Sequence, residues 1–251
     1  MSVLQQLEDI RISRGAVAVA LIDPDTRYEQ NLLSMIKLIN ECDFDIIFVG
    51  GSLISDNEYD NRLKVIKNNT NLPVIIFPGS SNQLSKYADA ILYLSLISGR
   101  NPQYLIGEHI KSAPIIYNLS IETIPTAYIL LDGGVRSSVE VVSDTKPIPM
   151  DKHDIILAHA LAGEYLGKSF IFLESGSGAE HHASFAIVKY LKDYLSIPII
   201  VGGGVNTAES AYKLVKAGAD YIVTGSQIEK LPSKTKLIKF TKAIHQEYCQ
   251  G

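Results

Sequence analysis

No apolar run in these 251 residues approaches the roughly 20 that a membrane-spanning helix requires, and residues 1–14 are polar and mixed in charge, unlike a targeting segment. A lipid ligand would therefore have to be met at a membrane surface. Blocks of like charge are also missing. With a formal net charge of -4, that absence leaves no footprint for nucleic acid. Cysteine is scarce: Cys42 and Cys249 lie far apart, in no metal or redox spacing, which points to a reduced, cytoplasmic compartment. His181 and His182 are adjacent, expected on a helix where they diverge, so they lack the i, i+4 spacing of a metal pair. No predicted strand carries a mid-run lysine suited to a Schiff base, which argues against a class I aldolase.

What is present is repetition of one pattern. Apolar runs at 16–22, 44–49, 74–77, 90–96, 170–174, 199–201 and 221–224 read as strands buried on both faces. Strand five is either 115–119 or 127–131, separated by a segment containing Pro125, and 127–131 is favoured because it ends in Asp132-Gly133-Gly134. Helical spacing marks 31–40, a polar helix reaching about residue 69 with Asp56 as its cap, a helix from Pro102, and segments at 155–167, 183–195, 208–218 and 236–248. Residues 135–150 form an unusually long connection, the kind that serves as a lid or binding loop. An open doubly wound sheet would use the same units. Eight of them in this length favour closure into a (β/α)₈ TIM barrel, one α/β domain over residues 1–251.

The segment Phe-Ile-Phe-Leu-Glu-Ser-Gly-Ser-Gly (170–178) delivers Glu174 at a strand end, then opens into a glycine-serine turn expected to lead straight into a helix. Such a turn can hold a phosphate, although it is also ordinary punctuation. Strands seven and eight end in Gly202-Gly203-Gly204 and Gly225-Ser226, at the usual phosphate position of such barrels. Asp23 and Ser52 end strands one and two, and carboxylate plus hydroxyl is a typical partial shell for Mg²⁺. Plainer roles exist: Asp23 as a turn residue before proline, Ser52 as turn material, Asp25 as a helix cap, Glu174 in an ion pair with Lys152 or Arg136. Arg100 and Lys152 could neutralise a second anionic group.

Leu-Ile-Asp-Pro-Asp (21–25), Val-Gly-Gly-Ser (49–52), Phe-Pro-Gly-Ser (77–80), Arg-Asn-Pro-Gln-Tyr-Leu-Ile-Gly (100–107), Ile-Pro-Thr-Ala-Tyr-Ile-Leu (124–130), Ala-Leu-Ala-Gly-Glu-Tyr-Leu-Gly (160–167), Phe-Leu-Glu-Ser-Gly-Ser-Gly-Ala (172–179), Val-Gly-Gly-Gly-Val (201–205) and Thr-Gly-Ser (224–226) resemble the geranylgeranylglyceryl phosphate synthases in order along nearly the whole chain. The resemblance, of the group II kind and related to the PcrB-type heptaprenylglyceryl phosphate synthases, implies a prenyltransferase joining sn-glycerol 1-phosphate to geranylgeranyl diphosphate. It implies Mg²⁺ on Asp23 and Ser52, and glycerol phosphate on Phe172, Leu173, Glu174, Ser175, Gly176, Ser177, Gly178, Gly203, Gly204, Gly225 and Ser226; Arg100 is expected as a substrate contact from its place on the rim alone. Glu174 would orient the glycerol and serve as base. Two departures stand out: Phe172 where the family often has tyrosine, and Thr26-Arg27 where a lysine is common after Asp-Pro-Asp, with Arg27 a substitute. The prenyl chain is expected on the side of strands three to five, with Tyr104 and Tyr128 along it, and a homo-oligomer is expected. Rival readings are a sugar-phosphate isomerase with Asp23 and Asp132 as its acid-base pair, a flavin-binding barrel, and a non-catalytic phosphate-binding barrel.

Overall fold

The computed structural model describes residues 1–25 and 30–246; Arg27, Tyr248 and Cys249 lie outside the described residues. Eight parallel strands follow one another round a closed ring: β1 (Val17–Ile22), β2 (Ile46–Val49), β3 (Val74–Ile76), β4 (Ala90–Leu96), β5 (Glu122–Leu130), β6 (Phe170–Glu174), β7 (Ile199–Gly202) and β8 (Tyr221–Thr224). Register closes the ring by pairing Val17 with Tyr221 and Ala20 with Thr224. Helices α1 (Val3–Arg14), α2 (Leu32–Glu41), α3 (Tyr59–Asn68), α4 (Glu108–Leu119), α5 (Ser138–Ser143), α6 (His153–Tyr165), α7 (Phe185–Lys192), α8 (Ala208–Ala217), α9 (Ser226–Glu229) and α10 (Lys234–Ile244) occupy the connections and the leading segment. This is the (β/α)₈ barrel that the alternating pattern predicts.

Unbroken apolar strands make two cores. One face of each strand points into the barrel, where Val19, Phe48, Ile75, Leu92, Phe172, Ile200 and Tyr221 pack together. The other face meets the helices, with Ala18, Ile47, Ile129, Leu173 and Val201 in that outer layer. The leading helix α1 reaches the bottom of the ring: Leu7 is buried in the inner core and Tyr221 donates its hydroxyl hydrogen to the Leu7 carbonyl. Glu122, at the start of β5, accepts from the Val3 and Leu4 amides at 2.6 and 2.8 Å, satisfying the first turn of α1.

Several boundaries differ from expectation. Strand five begins at Glu122 and runs through Pro125, while 115–119 is the end of α4. Proline is tolerated because the Pro125 carbonyl faces Ser169, just before β6 begins, so the missing N–H on that side removes no bond of the ladder. Asp56 does not cap α3, which Glu58 precedes; it accepts from the Glu58 amide and pairs with Arg62. Asp25 does not cap α2, whose flanking residue is Asn31; Asp25 accepts from the Ser55 hydroxyl at 3.2 Å. The last helix ends at Ile244.

At the lower face, buried Asp45 accepts from the Ala18 amide (2.7 Å), Arg14 (2.7 Å) and His245 Nε2 (2.8 Å), joining β1, α1 and α10. Removing this hub leaves a buried amide and a part-buried guanidinium short of an acceptor. Asp45→Ala is expected to destabilise the fold by about 3 kcal/mol or more, read as a lowered urea midpoint with an unchanged m-value.

Candidate active site

The carboxyl ends of the strands surround a cavity of about 890 Å³. That is near the top of the range for small-molecule pockets, more than one phosphate ester needs. Asp23 and Ser52 line it from the β1 and β2 loops. Glu174, Gly176, Ser177 and Gly178 line it from β6, and Gly203, Gly204, Gly225 and Ser226 from β7 and β8. Four expected residues stand elsewhere. Leu173 points outward into the helix layer, because the side chain beside an inward-facing Phe172 must face the other way. Phe172 lies fully buried in an aromatic layer below the cavity, and Ser175 is 1% exposed behind it. Arg100 bends back to the Gly99 carbonyl at 2.7 Å and approaches His159, away from the cavity.

Glu174 is the electrostatic centre. Burial pushes its carboxyl up to about 7, against the opposing pull of the Gly176 amide that donates to Oε1 at 2.7 Å. The cause lies below it: Phe172 stacks on Phe77 with centroids 5.1 Å apart and touches Tyr128 at 5.4 Å, and Phe48 extends the layer. Tyr128, whose phenol burial raises well above its usual range, also feels the Glu174 charge. No ion pair offsets that burial among the described residues, since Lys152 pairs with Asp151 and Arg136 with Glu140.

Beside Glu174 the backbone comes very close. A side chain on Gly203, at φ +76°, would meet Glu174 Oε1 at 2.6 Å and the Gly176 nitrogen at 2.7 Å. One on Gly204, at φ +71°, would strike the His181–His182 backbone. Only glycine lets these turns nest with their amides at the cavity edge. Thr224 lines the same corner with a buried Oγ1 that has no hydrogen-bond partner, a hydroxyl suited to a polar ligand. The turn after β6 does not run straight into a helix: residues 179–184 intervene before α7, and His181 and His182 lie in that loop rather than on a helix. Ser184 caps α7 instead.

Across the cavity, Asp23 Oδ1 accepts from the Asp25 amide at 3.1 Å, and a Cβ on Gly51 would fall 2.5 Å from that oxygen. The β2 loop is thus wrapped closely round the carboxylate, with Ser52 next in the chain. Among the described residues no three His, Cys, Asp or Glu side chains gather as a metal cage. One carboxylate and one hydroxyl fit Mg²⁺, which keeps water and takes phosphate oxygens for the rest of its shell, better than a metal needing a full protein shell. Asp132 lies apart from Asp23, on a second cleft with Glu180 and His181, so the two do not form an acid-base pair in one cavity.

The cavity has an apolar arm, and its position follows from strand pairing. Between β3 and β4 only Ile75–Ala90 and Ile76–Ile91 pair, whereas β4 pairs with β5 along its full length to Leu96. Above Ile91 the wall opens, so the inward Leu92, Leu94 and Leu96 and the outward Ile91 and Tyr93 all line one cavity. Tyr104 and Tyr128 line it as expected. Residues 135–150, read as a binding loop, contain α5, and Val139, Val141 and Val142 cover the arm. The sequence pattern missed α5, His109 and Gln83. His109 lines the arm, and the Gln83 amide grips both the N–H and the C=O of Gly51.

The chain matches the model of the PcrB family over residues 9–244. A geranylgeranylglyceryl phosphate synthase of Chitinophaga pinensis is 45% identical over 237 residues, covering 94% of this chain and 93% of that one. Its counterpart in Pyrococcus horikoshii is 40% identical, covering 93% and 92%. The crystal structure of (S)-3-O-geranylgeranylglyceryl phosphate synthase from Thermoplasma acidophilum in complex with sn-glycerol-1-phosphate is 36% identical, with a TM-score of 0.90 over 98% of this chain and 99% of that one.

Glu174 holds its proton up to about pH 7 in the fold but only to about 4.5 when unfolded. The native state therefore binds more protons between those values, and stability falls as pH rises through that window. Glu174→Gln, which cannot ionise, is expected to be more stable than the wild type at pH 8, by at most roughly 3 kcal/mol. The difference should shrink towards zero at pH 5, in urea titrations at both values.

Proposed function

This chain belongs to the PcrB family, and on that premise we propose that it is a geranylgeranylglyceryl phosphate synthase, a prenyltransferase that makes the ether bond between sn-glycerol 1-phosphate and geranylgeranyl diphosphate. The observation that carries the reading is that one cavity joins a glycine-lined rim and a buried carboxylate to an apolar arm through the β3–β4 wall.

In this reading the glycerol phosphate lies against Gly176, Ser177, Gly178, Gly203, Gly204, Gly225 and Ser226, with the Thr224 hydroxyl available to a phosphate oxygen. That places the glycerol end near Glu174, which accepts the proton of the C3 hydroxyl as its oxygen bonds to the allylic carbon. A carboxyl poised near 7 is suited to that transfer. The allylic carbon–oxygen bond breaks, its electron pair leaving with diphosphate. Asp23 and Ser52 would hold Mg²⁺, which when bound stabilises the charge developing on diphosphate. The aromatic layer under Glu174 and the valines of α5 exclude water, which would otherwise capture the allylic carbon. Phe172, where the family often carries tyrosine, contributes an apolar ring here and no hydroxyl.

A cytoplasmic homo-oligomer completes the reading. Among the described residues no helix is long and apolar enough to cross a membrane, and Ile110, Tyr117, Tyr165 and Leu166 leave apolar surface on and beside α4 and α6 for a second copy.

Incubation of radiolabelled geranylgeranyl diphosphate with sn-glycerol 1-phosphate should yield an extractable ether lipid that requires Mg²⁺, is absent with the 3-phosphate enantiomer, and is lost in Asp23→Asn. No product with any prenyl donor, shorter or longer, would exclude the assignment. Glu174→Gln should lower kcat by about 10²–10⁴-fold. In the wild type kcat/KM should rise with pH and level off above about 7, because the base works only when ionised.

A further inference from the structure

Arg62 is the residue whose environment least fits its place in the sequence. It sits in a polar helix, yet its side chain is only 4% exposed. One guanidinium nitrogen donates to the Pro24 carbonyl at 2.9 Å and to Asp56 Oδ1 at 2.8 Å, while the other donates to Asp56 Oδ2 at 2.7 Å. Pro24 stands between Asp23 and Asp25 on the β1 loop, and Asp56 lies on the β2 loop that carries Ser52, before α3 begins at Tyr59. The helix that holds Arg62 is itself fixed, with Leu63 and Ile66 fully buried in the outer core. The Ser55–Asp25 hydrogen bond makes a second tie between the same loops.

We infer that Arg62 is a positioning residue for the metal end of the site, clamping the loop of Asp23 to the loop of Ser52 so that carboxylate and hydroxyl are set before a cation arrives. The inference rests on the assignment of those two residues to Mg²⁺. A planar guanidinium can hold a carboxylate through two nitrogens while reaching a carbonyl on another loop; an ammonium, a point charge on a flexible stem, does not reproduce that fork. Charge alone is therefore not the requirement. Loss of such outer partners of metal ligands typically lowers metal affinity 10–100-fold. The glycerol phosphate rim lies on the β6, β7 and β8 loops, whereas the hydrogen bonds of Arg62 to Pro24 and Asp56 go to the β1 and β2 loops, so the rim should be untouched.

The test measures Mn²⁺ affinity by electron paramagnetic resonance in the presence of inorganic diphosphate, and sn-glycerol 1-phosphate affinity by calorimetry, on the full chain. Arg62→Lys and Asp56→Asn should each weaken Mn²⁺ binding at least tenfold and leave glycerol phosphate affinity within twofold. The double variant should be no worse than either single one, because both break the same clamp. Retained glycerol phosphate binding also certifies the fold of each variant, and Asp56→Asn, at a part-exposed carboxylate, serves should Arg62→Lys not fold. Wild-type Mn²⁺ affinity in either variant, or an equal loss of both ligands, would overturn the role of Arg62. Mn²⁺ binding that survives unchanged in Asp23→Asn would instead overturn the metal assignment, and the clamp's purpose with it.

Discussion

A closed ring of eight strands normally has a filled interior, and the site depends on a seam, between β3 and β4, where this ring is barely closed. β3 contributes three residues and gives β4 two pairs. Just above that seam the outward and inward faces of β4 share a cavity, so a ligand too long for the mouth of a barrel has a route through its side. Such an opening is tolerable because β4 is fully paired on its other edge with β5 and roofed by α4 and α5. The shortness of β3, a property of a few residues, thus gives the cavity its apolar arm.

The second determinant is the aromatic layer of Phe48, Phe77, Phe172 and Tyr128. It fills the barrel beneath the cavity and lowers the local dielectric, and Glu174 stands at its upper edge. Packing and acid-base behaviour are therefore one feature: the rings that stabilise the core also hold a carboxyl near neutrality. Glycines at 203 and 204 then bring backbone amides against this carboxylate, where any side chain would collide with it or with the neighbouring loop.

Much of this was legible in the chain. Strands buried on both faces appear as unbroken apolar runs, so seven of the eight could be located from residue type alone, and Glu174 followed from its place at the end of one. Asp23 and Ser52 were legible as the first polar residues after their runs, and the glycine turns as the breaks that end the later ones. Features that depend on register or on distant partners were not. Leu173 adjoins Glu174 in sequence but faces away, and Pro125 looks like a strand breaker until β6 is seen to begin only beyond it, opposite Thr126. Arg62 resembles any solvated charge in a polar helix, because its partners, Pro24 and Asp56, lie on loops that only the fold brings together. Arg100, equally plausible by position, turns back onto its own loop.

The closing pair, β1 with β8, joins residues near 17 to residues near 221. During synthesis β1 can pair with β2 early, yet its other edge stays without hydrogen-bond partners until almost the whole chain has been made. Contacts of such sequence separation slow folding, and an apolar edge held open for that time is exposed to other chains. The leading helix bears on this interval. Anchored through Glu122 once β5 exists, it can cover the floor of the unfinished ring, so a helix outside the repeating pattern would act as a guard during biogenesis as well as a plug in the finished barrel.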